Sequence, residues 1–353
     1  MMEFGMQFFP CVEPEEKSGA QYFDECLTIC ELADIYGYTH VRTVEHYFHP
    51  YGGYSPNPIV FLTAASQRTK KARLVTGAVL PIFGHPLKIA GEIGVLDAVS
   101  NGRAEIGMAR AFLPHEFRRF GISLDESVAR YDEGYDQIRR LLEEENVTSK
   151  GRFHSFEDVT SLPRPTQKPR PPLWTAALNN TESFEKAGRV GNWIMGIPIA
   201  GSRMQELLGI YREAWKSAGH PGKPRVMLAF HMLCHEDRDE AMRLAREPVR
   251  RYFEMLVDAA SDWGTGATSD DYKDYDKIIE VLKKEDLDTQ MEKSSAWVGR
   301  PEDIIEVVHE YDRLVGGFDD ASMQVNFASL PHEEAVRSVK LFGEKVIPHF
   351  AKG

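Results

Sequence analysis

Thr39-His40-Val41-Arg42-Thr43-Val44 runs directly into Glu45-His46-Tyr47-Phe48, and this stretch decides the fold. Residues 39–44 have the pattern of a strand, and the ionisable pair Glu45-His46 follows where that strand ends. In a parallel α/β barrel, chemistry is built at the carboxyl ends of the strands. The stretch therefore predicts a barrel strand followed by a candidate catalytic residue, His46.

Two other segments repeat this arrangement. Gly107-Met108-Ala109-Arg110 places a cation just after a predicted strand, and Asn179-Asn180-Thr181 places polar groups after another. Because the carboxyl ends of parallel strands open on one face of a barrel, the three segments together describe one site.

The rest of the chain alternates between strand and helix patterns. Asn57 is a favoured N-cap, and Pro58 suits the first position of the helix that it opens. Gly316-Gly317 ends a helix over 301–315. The predicted strands are 3–9, 39–44, 74–80, 103–108, 173–176, 193–195, 225–233 and 320–327. Eight alternations with short connections predict an α/β fold, a TIM (β/α)8 barrel, as a single domain over residues 1–353.

Two segments interrupt this alternation. Residues 150–172 are rich in aromatic residues and proline, which predicts a hairpin excursion. Residues 259–296 are too long for an ordinary connection. They predict a mobile lid insertion over the catalytic face, and the alternative is an insertion packed on the outside of the barrel.

The composition limits the partners. The formal net charge of −12 disfavours nucleic acids and anionic membranes, since no concentrated basic patch is visible. The four cysteines form no CxxC pair and no secretory signal is present, which predicts a reducing cytoplasm. No apolar run approaches the roughly 20 residues that cross a bilayer. The expected protein is cytoplasmic and binds neither nucleic acid nor membrane.

Other kinds of site fit less well. His46 and His49 have a spacing that could bind a metal, but no HExxH or carboxylate partner pattern accompanies them. Neither GxGxxG nor GxxxxGK[ST] occurs. The sequence therefore predicts no metal site and disfavours a Rossmann site or a P-loop.

Several short motifs occur in order along the chain. They are Glu45-His46-Tyr47-Phe48, Gly84-His85-Pro86, Leu96-Asp97, Ser100-Asn101-Gly102-Arg103, Gly107-Met108-Ala109-Arg110, Phe117-Arg118-Arg119-Phe120-Gly121, Val298-Gly299-Arg300-Pro301-Glu302, 323–327 and Val339-Lys340-Leu341-Phe342. Taken together, they resemble the bacterial luciferase-like flavin monooxygenases, and most closely the luciferase catalytic subunit, over essentially the whole chain. The resemblance implies a TIM barrel that binds reduced FMN, reacts it with O2 and oxygenates an organic substrate through a flavin hydroperoxide.

His46 matches the catalytic histidine of the family. A neutral imidazole accepts and returns a proton near pH 7, which suits the reaction of reduced flavin with oxygen. Glu45 is expected either to orient His46 or to pair with a nearby cation. Tyr47 stands where luciferase has a second histidine, a departure that could change the substrate chemistry.

The resemblance also implies a cofactor site. Arg110 matches the residue that pairs with the flavin phosphate, and a guanidinium suits phosphate oxygens. The turn Ala177-Leu178-Asn179-Asn180-Thr181 opens a helix whose free N–H groups, with Asn180 and Thr181, would complete the cradle. Ala176 and Ala177 replace acidic and hydroxyl residues of luciferase there. Gly77-Ala78 aligns with a non-proline cis peptide beneath the flavin ring, and a plain strand end is the alternative.

The substrate is expected to have substantial apolar surface. Tyr47 belongs to the predicted pocket. Aromatic and methionine side chains at strand ends could line the rest of it, and they are equally good core residues. These residues are Phe8, Trp193, Met195, Tyr252 and Phe327.

The resemblance implies a separate flavin reductase, because no nicotinamide-binding segment is evident, and a dimer that we expect to be a homodimer. Two alternatives remain open. The superfamily includes deazaflavin-dependent oxidoreductases that transfer hydride without oxygen. The chain could also be a non-catalytic flavin-binding partner subunit, although that type lacks the histidine and the long lid.

Overall fold

A computed structural model describes residues 2–198, 201–273 and 275–351. The strands are β1 (Glu3–Phe8), β2 (His40–Thr43), β3 (Arg73–Val79), β4 (Ala104–Met108), β5 (Val147–Lys150), β6 (Ser155–Val159), β7 (Leu173–Ala176), β8 (Trp193–Gly196), β9 (Val226–Cys234), β10 (Ala296–Gly299) and β11 (Asp320–Gln324). The helices are α1 (Gly19–Glu31), α2 (Ala33–Tyr36), α3 (Pro58–Arg68), α4 (Pro86–Val99), α5 (Pro114–Phe120), α6 (Ser127–Glu143), α7 (Thr181–Val190), α8 (Gly201–Ser217), α9 (Arg238–Ala259), α10 (Tyr275–Leu282), α11 (Leu287–Glu292), α12 (Pro301–Val315), α13 (His332–Lys345) and α14 (Ile347–Phe350).

Eight parallel strands close into a barrel in the order β1-β2-β3-β4-β7-β8-β9-β11, with β11 pairing back to β1. The predicted TIM barrel is confirmed, and each predicted barrel strand is found at its predicted place in the chain. β10 adds a ninth parallel strand beside the carboxyl half of β9. The helices surround this sheet, and no helix in the described ranges is long and apolar enough to cross a membrane.

Local sequence signals account for several helix starts. The Asn57 side chain accepts hydrogen bonds from the N–H groups of Ile59 and Val60, and Pro58 fills the first helical position of α3. Asp237 caps α9 in the same way, by accepting from Asp239 and Glu240. These caps fix where each helix begins behind the strand that precedes it.

The barrel interior is layered. At the amino-terminal end of the strands, Arg73 pairs with Glu105 at 2.9 Å and with Asp320 at 2.8 Å, and Arg225 pairs with Asp320 at 2.9 Å. Above this ionic layer lies an apolar cluster of Val75, Trp174, Met195 and Met227. This end of the barrel is therefore filled, and the carboxyl ends of the strands carry the site.

Both interruptions of the alternation have defined structures. β5 and β6 form an antiparallel hairpin. The segment between α9 and β10 contains short 3-10 helices at Ser261–Gly264 and Asp270–Tyr272, followed by α10 and α11. Trp263 donates from Nε1 to the carbonyl oxygen of Phe112 at 2.9 Å, and the Tyr272 hydroxyl donates to that of Ala111. The segment thus packs on the loop after β4, and its mobility stays a prediction.

Candidate active site

His46 is buried just beyond the carboxyl end of β2, where it meets an acid from a distant part of the chain. Its Nδ1 lies 3.1 Å from Oε1 of Glu116, on α5. The same oxygen accepts the N–H of Tyr47 at 2.9 Å, so Glu116 fixes both the ring and the backbone beside it. With the carboxylate as acceptor, Nδ1 carries the proton and Nε2 is the atom left to exchange one.

Glu116 is completely buried, and its Oε2 is buried without a hydrogen-bond partner among the described residues. Pro114 starts α5 and places Glu116 in the first helical turn, where a negative charge is favoured. Sequence patterns do not identify this residue, because 70 positions separate it from His46 and no local spacing links them.

Glu45 has different partners from those expected. Its Oε1 accepts the hydroxyl of Tyr47 at 2.6 Å, and its Oε2 accepts the N–H of Leu80 at 3.2 Å. Within the described ranges neither His46 nor a cation bonds to Glu45, so neither of its two expected partners is found, and Glu116 is the carboxylate that contacts His46. Burial raises the pKa of Glu45 to about 8, which leaves it mostly protonated at neutral pH.

Aromatic rings enclose this end of the barrel. Phe9, Tyr51 and Phe112 lie within 6.0 Å of the His46 ring, measured between ring centroids. On the far side, Tyr252 and Phe327 lie 4.6 and 5.0 Å from the ring of His231. Tyr252 also contacts Phe9, so it adjoins the aromatic group around His46, whereas Tyr47 packs against Phe83 and Phe120 beside Glu45. The assignment of Tyr47, Tyr252 and Phe327 to a substrate pocket stays a prediction.

Three other residues predicted for the pocket lie elsewhere. Phe8 packs against Phe61 of α3, because it follows Gln7 on β1 and alternate residues of a strand face opposite sides. Trp193 begins β8 at the amino-terminal end of the barrel, where the Arg225 guanidinium lies 5.3 Å from its ring. Met195 belongs to the apolar cluster inside the barrel. The structure therefore does not support these three as pocket residues.

The opening of the barrel at the carboxyl ends of the strands is called the mouth. A layer of polar side chains lies just below it, on β1, β2, β9 and β11. Gln7 is the register partner of both Arg42 and Gln324, and Gln324 is the partner of His231. All four are buried. The peptide bond Gly77-Ala78, next to this layer on β3, is cis, as the resemblance predicted.

Arg110 follows β4 and has an unusual environment. Its guanidinium carbon lies 4.3 Å from the centroid of the Tyr272 ring, and Nη1 donates to the Ser127 hydroxyl at 3.4 Å. In the described part of the chain no carboxylate lies within ion-pair distance of Arg110. Its other N–H donors have no acceptor among the described residues, so they could donate to an anion.

The turn before α7 is the other expected half of the phosphate cradle. Asn180 caps the helix by accepting the N–H of Ser183 at 3.2 Å. The N–H of Ala177 donates to the carbonyl oxygen of Met195 in the sheet. The Ala177 N–H is therefore not free for a ligand, contrary to the expectation. Arg203 of α8 donates to the Asn179 side chain at 2.8 Å and to the Thr181 hydroxyl at 3.1 Å. A second cation thus adjoins this turn, and sequence spacing gave no signal for it.

The hydrogen-bond donors and aromatic side chains at this end of the barrel suit the phosphate and the ring system of a flavin. Two arginines and a helix N-terminus lie at the ends of β4 and β7, where a phosphate could bind. A buried, aromatic-walled region with a histidine-carboxylate pair lies at the ends of β1 and β2.

Comparison with known proteins is consistent with this site. The model of the family of luciferase-like monooxygenases matches residues 2–316. The oxygenase component of the flavin-dependent trigonelline monooxygenase of Acinetobacter baylyi is 26% identical over 350 residues, which span 96% of this chain and 92% of that protein. The solved structure of the monooxygenase RslO1 from Streptomyces bottropensis is 40% identical, with a TM-score of 0.88, over 99% of this chain and 100% of that one.

Two more distant solved structures share the fold alone. The oxygenating constituent of 3,6-diketocamphane monooxygenase of Pseudomonas putida, in complex with FMN, is 22% identical with a TM-score of 0.82, over 98% of each chain. An F420-dependent secondary alcohol dehydrogenase is 17% identical with a TM-score of 0.75, also over 98% of each chain. Because the family model matches most of its length, the chain belongs to the luciferase-like monooxygenase family and is an oxidoreductase.

Proposed function

We propose that this protein is the oxygenase component of a two-component monooxygenase. It receives reduced FMN from a separate reductase and uses O2 to oxygenate an organic substrate with substantial apolar surface. The observation that carries the proposal is the buried His46-Glu116 pair at the mouth of the barrel, walled by aromatic rings. The flavin supplies the electrons that activate O2.

The proposed role of His46 is to hold and move a proton at Nε2. Glu116 accepts from Nδ1 and so keeps the ring in one tautomer and one orientation. Only 11% of the His46 side chain is exposed, so its proton exchange takes place largely away from bulk water. Exclusion of water favours oxygen transfer to substrate over unproductive decay.

Arg110, Arg203 and the first turn of α7 would hold the FMN phosphate. The face of the Arg110 guanidinium is covered by Tyr272, but a phosphate binds the N–H edge, so both contacts can coexist. Arg203 already orders the turn through Asn179 and Thr181. These contacts support a phosphorylated flavin as the cofactor.

The remaining partners follow from the same proposal. The oxygenase component of the trigonelline enzyme implies an analogous reductase for this chain. The four cysteines are free and buried, which is compatible with the reducing cytoplasm proposed for the protein. A homodimer stays part of the proposal.

The test is anaerobic mixing of the protein with reduced FMN, followed by rapid addition of oxygenated buffer while the near-ultraviolet absorption is recorded. A transient band that outlives the oxidation of free reduced FMN is expected for the wild type, and it should be lost in His46→Ala. His220→Ala is the matched control, because His220 follows the end of α8 and contacts the backbone oxygen of Arg189, in the last turn of α7, and the ring of Trp215, away from the mouth.

Oxidation indistinguishable from that of FMN in buffer would contradict the proposal. A parallel titration with reduced and oxidised deazaflavin then separates the two remaining interpretations. Tight deazaflavin binding would indicate a hydride-transferring oxidoreductase, and binding of FMN alone, without the transient band, would indicate a non-catalytic flavin-binding subunit.

A further inference from the structure

Arg42 carries a buried positive charge inside the barrel, with only 5% of its surface exposed. Its Nη1 donates to Oε1 of Gln7 at 2.8 Å, and its Nη2 donates to the carbonyl oxygen of Gly77 at 3.2 Å. Both acceptors are uncharged, and Nε is buried with no hydrogen-bond partner among the described residues. Burial lowers the pKa of Arg42 to about 10, so the side chain is still charged at neutral pH.

The other arginines inside the barrel are paired with acids. Arg73 contacts Glu105 and Asp320, and Arg225 contacts Asp320. No carboxylate of the described residues lies within ion-pair distance of Arg42. An unpaired buried charge costs several kcal/mol, and an apolar residue of similar volume would avoid that cost. The folded chain alone gives no reason for this arginine, which points to a ligand.

The neighbours of Arg42 in the strand register are also incompletely bonded. Oε1 of Gln324 and Nε2 of His231 are buried without hydrogen-bond partners in the described part of the chain. Burial lowers the pKa of His231 to about 3, so this ring is neutral. The layer therefore offers one full positive charge and several neutral polar groups. Such a set matches a ligand with a single negative charge better than a multiply charged phosphate.

The walls of this region define the rest of the ligand. The rings of Phe9 and Tyr252 lie 5.4 Å apart, and Tyr252 and Phe327 both flank His231. Flat aromatic walls favour a planar organic body. We propose that Arg42, with Gln7 and Gln324, binds the anionic oxygen of a planar organic group that enters the barrel mouth.

Two molecules could bring that oxygen, and both assignments rest on the proposed function. One is the substrate, through a carboxylate or an enolate. The other is reduced flavin, whose pyrimidine edge is anionic and responds to nearby positive charge. Gly77 holds the Arg42 side chain in place, because Nη2 donates to its carbonyl oxygen and because a Cβ at this position would lie 1.9 Å from Nε of Arg42.

The experiment measures binding and needs no turnover. Benzoate serves as the planar carboxylate probe and benzamide as its neutral analogue, each titrated calorimetrically into the wild type, Arg42→Met and Arg42→Lys. Oxidised and anaerobically reduced FMN are titrated into the same three proteins. Arg189→Met is the matched control, since Arg189 lies in the last turn of α7 on the protein surface.

Each result decides the assignment. If the substrate is the source, Arg42→Met weakens benzoate binding by about tenfold or more and leaves benzamide and both forms of FMN unchanged. If reduced flavin is the source, Arg42→Met removes the preference for reduced over oxidised FMN, and benzoate is unaffected. If neither ligand distinguishes Arg42→Met from the wild type, the proposal is overturned.

Loss of folding does not confuse these outcomes. Removal of an unpaired buried charge should leave the thermal unfolding temperature of Arg42→Met equal to or above that of the wild type. Gln324→Leu provides a second variant with the charge intact, and it should weaken the same ligand more modestly. The binding results can be interpreted even if the oxygen test described above fails, because they need no turnover. The proposal for Arg42 and the proposed function can therefore be rejected independently of each other.

Discussion

Nδ1 of His46 and Oε1 of Glu116 lie 3.1 Å apart, although the two residues come from different elements and are 70 positions apart in the sequence. Glu116 also accepts the N–H of Tyr47 and is completely buried. A carboxylate that accepts from Nδ1 sets the tautomer and the orientation of a histidine ring. In the proposed mechanism, this contact leaves Nε2 of His46 as the atom that exchanges a proton.

Glu116→Gln should lower kcat by about 10- to 100-fold, because the amide is a weaker acceptor for Nδ1–H and does not stabilise the charged ring. The hydrogen bond from Tyr47 can persist in this variant, so the fold should survive. The dissociation constant of reduced FMN should change little in this variant. A merely structural role would weaken cofactor binding together with kcat, and Glu333→Gln, on the exposed first turn of α13, should leave both quantities unchanged.

Arg110→Met and Arg203→Met should each weaken FMN binding by about tenfold or more, because each removes a charge-assisted contact with the phosphate. Riboflavin has no phosphate, so its affinity should change little in either variant. The measurement is the ratio of riboflavin to FMN dissociation constants by fluorescence quenching. Equal loss of affinity for both ligands would show that the arginines act on the ring or on the fold instead.

Glu45→Gln should change how stability depends on pH. The pKa of Glu45 is raised by burial from 4.5 to about 8, so the native protein keeps a proton that the unfolded chain releases. Wild-type stability therefore falls as pH rises from about 4.5 to 8, by on the order of 4 kcal/mol from this group. Glu45→Gln lacks this loss.

Urea unfolding at pH 5 and pH 8 checks this expectation. The variant should gain stability relative to the wild type at pH 8 compared with pH 5. A difference between the two proteins that is the same at both pH values would mean that Glu45 is ionised in the native state.

The sequence predicted the barrel well because its signals are local. The alternation of strand and helix patterns, the Asn57 cap with Pro58, and the strand-end positions of His46 and Arg110 can all be read within a few residues. The partners of these side chains could not be predicted in this way. Glu116 and Arg203 reach the site from helices that only the closed barrel brings near.

The predicted pocket residues show a second limit of prediction from sequence, which is the direction in which a strand side chain points. Residue type predicts Phe8 for the pocket, but Gln7, one position earlier, is the residue that faces Arg42. A shift of one residue on a strand moves a side chain to the opposite face, so composition at a strand end does not fix orientation. Trp193 and Met195 lie further from the carboxyl ends of the strands than their residue types predict, since a short strand gives no signal of its position along the barrel axis.

The segment between α9 and β10 should become ordered together with the cofactor. Its Tyr272 covers one face of the Arg110 guanidinium and donates a hydrogen bond to the carbonyl oxygen of Ala111, so Tyr272 connects the segment to the expected phosphate site.

Tyr272→Phe keeps the ring and removes the hydrogen bond, whereas Tyr272→Ala removes both. Amide hydrogen exchange over residues 261–273 should be slowed by FMN in the wild type, less in Tyr272→Phe and least in Tyr272→Ala. FMN dissociation should accelerate in the same order, by about threefold and about tenfold. Exchange that is insensitive to FMN in all three proteins would mean that this segment is a fixed insertion and not a lid.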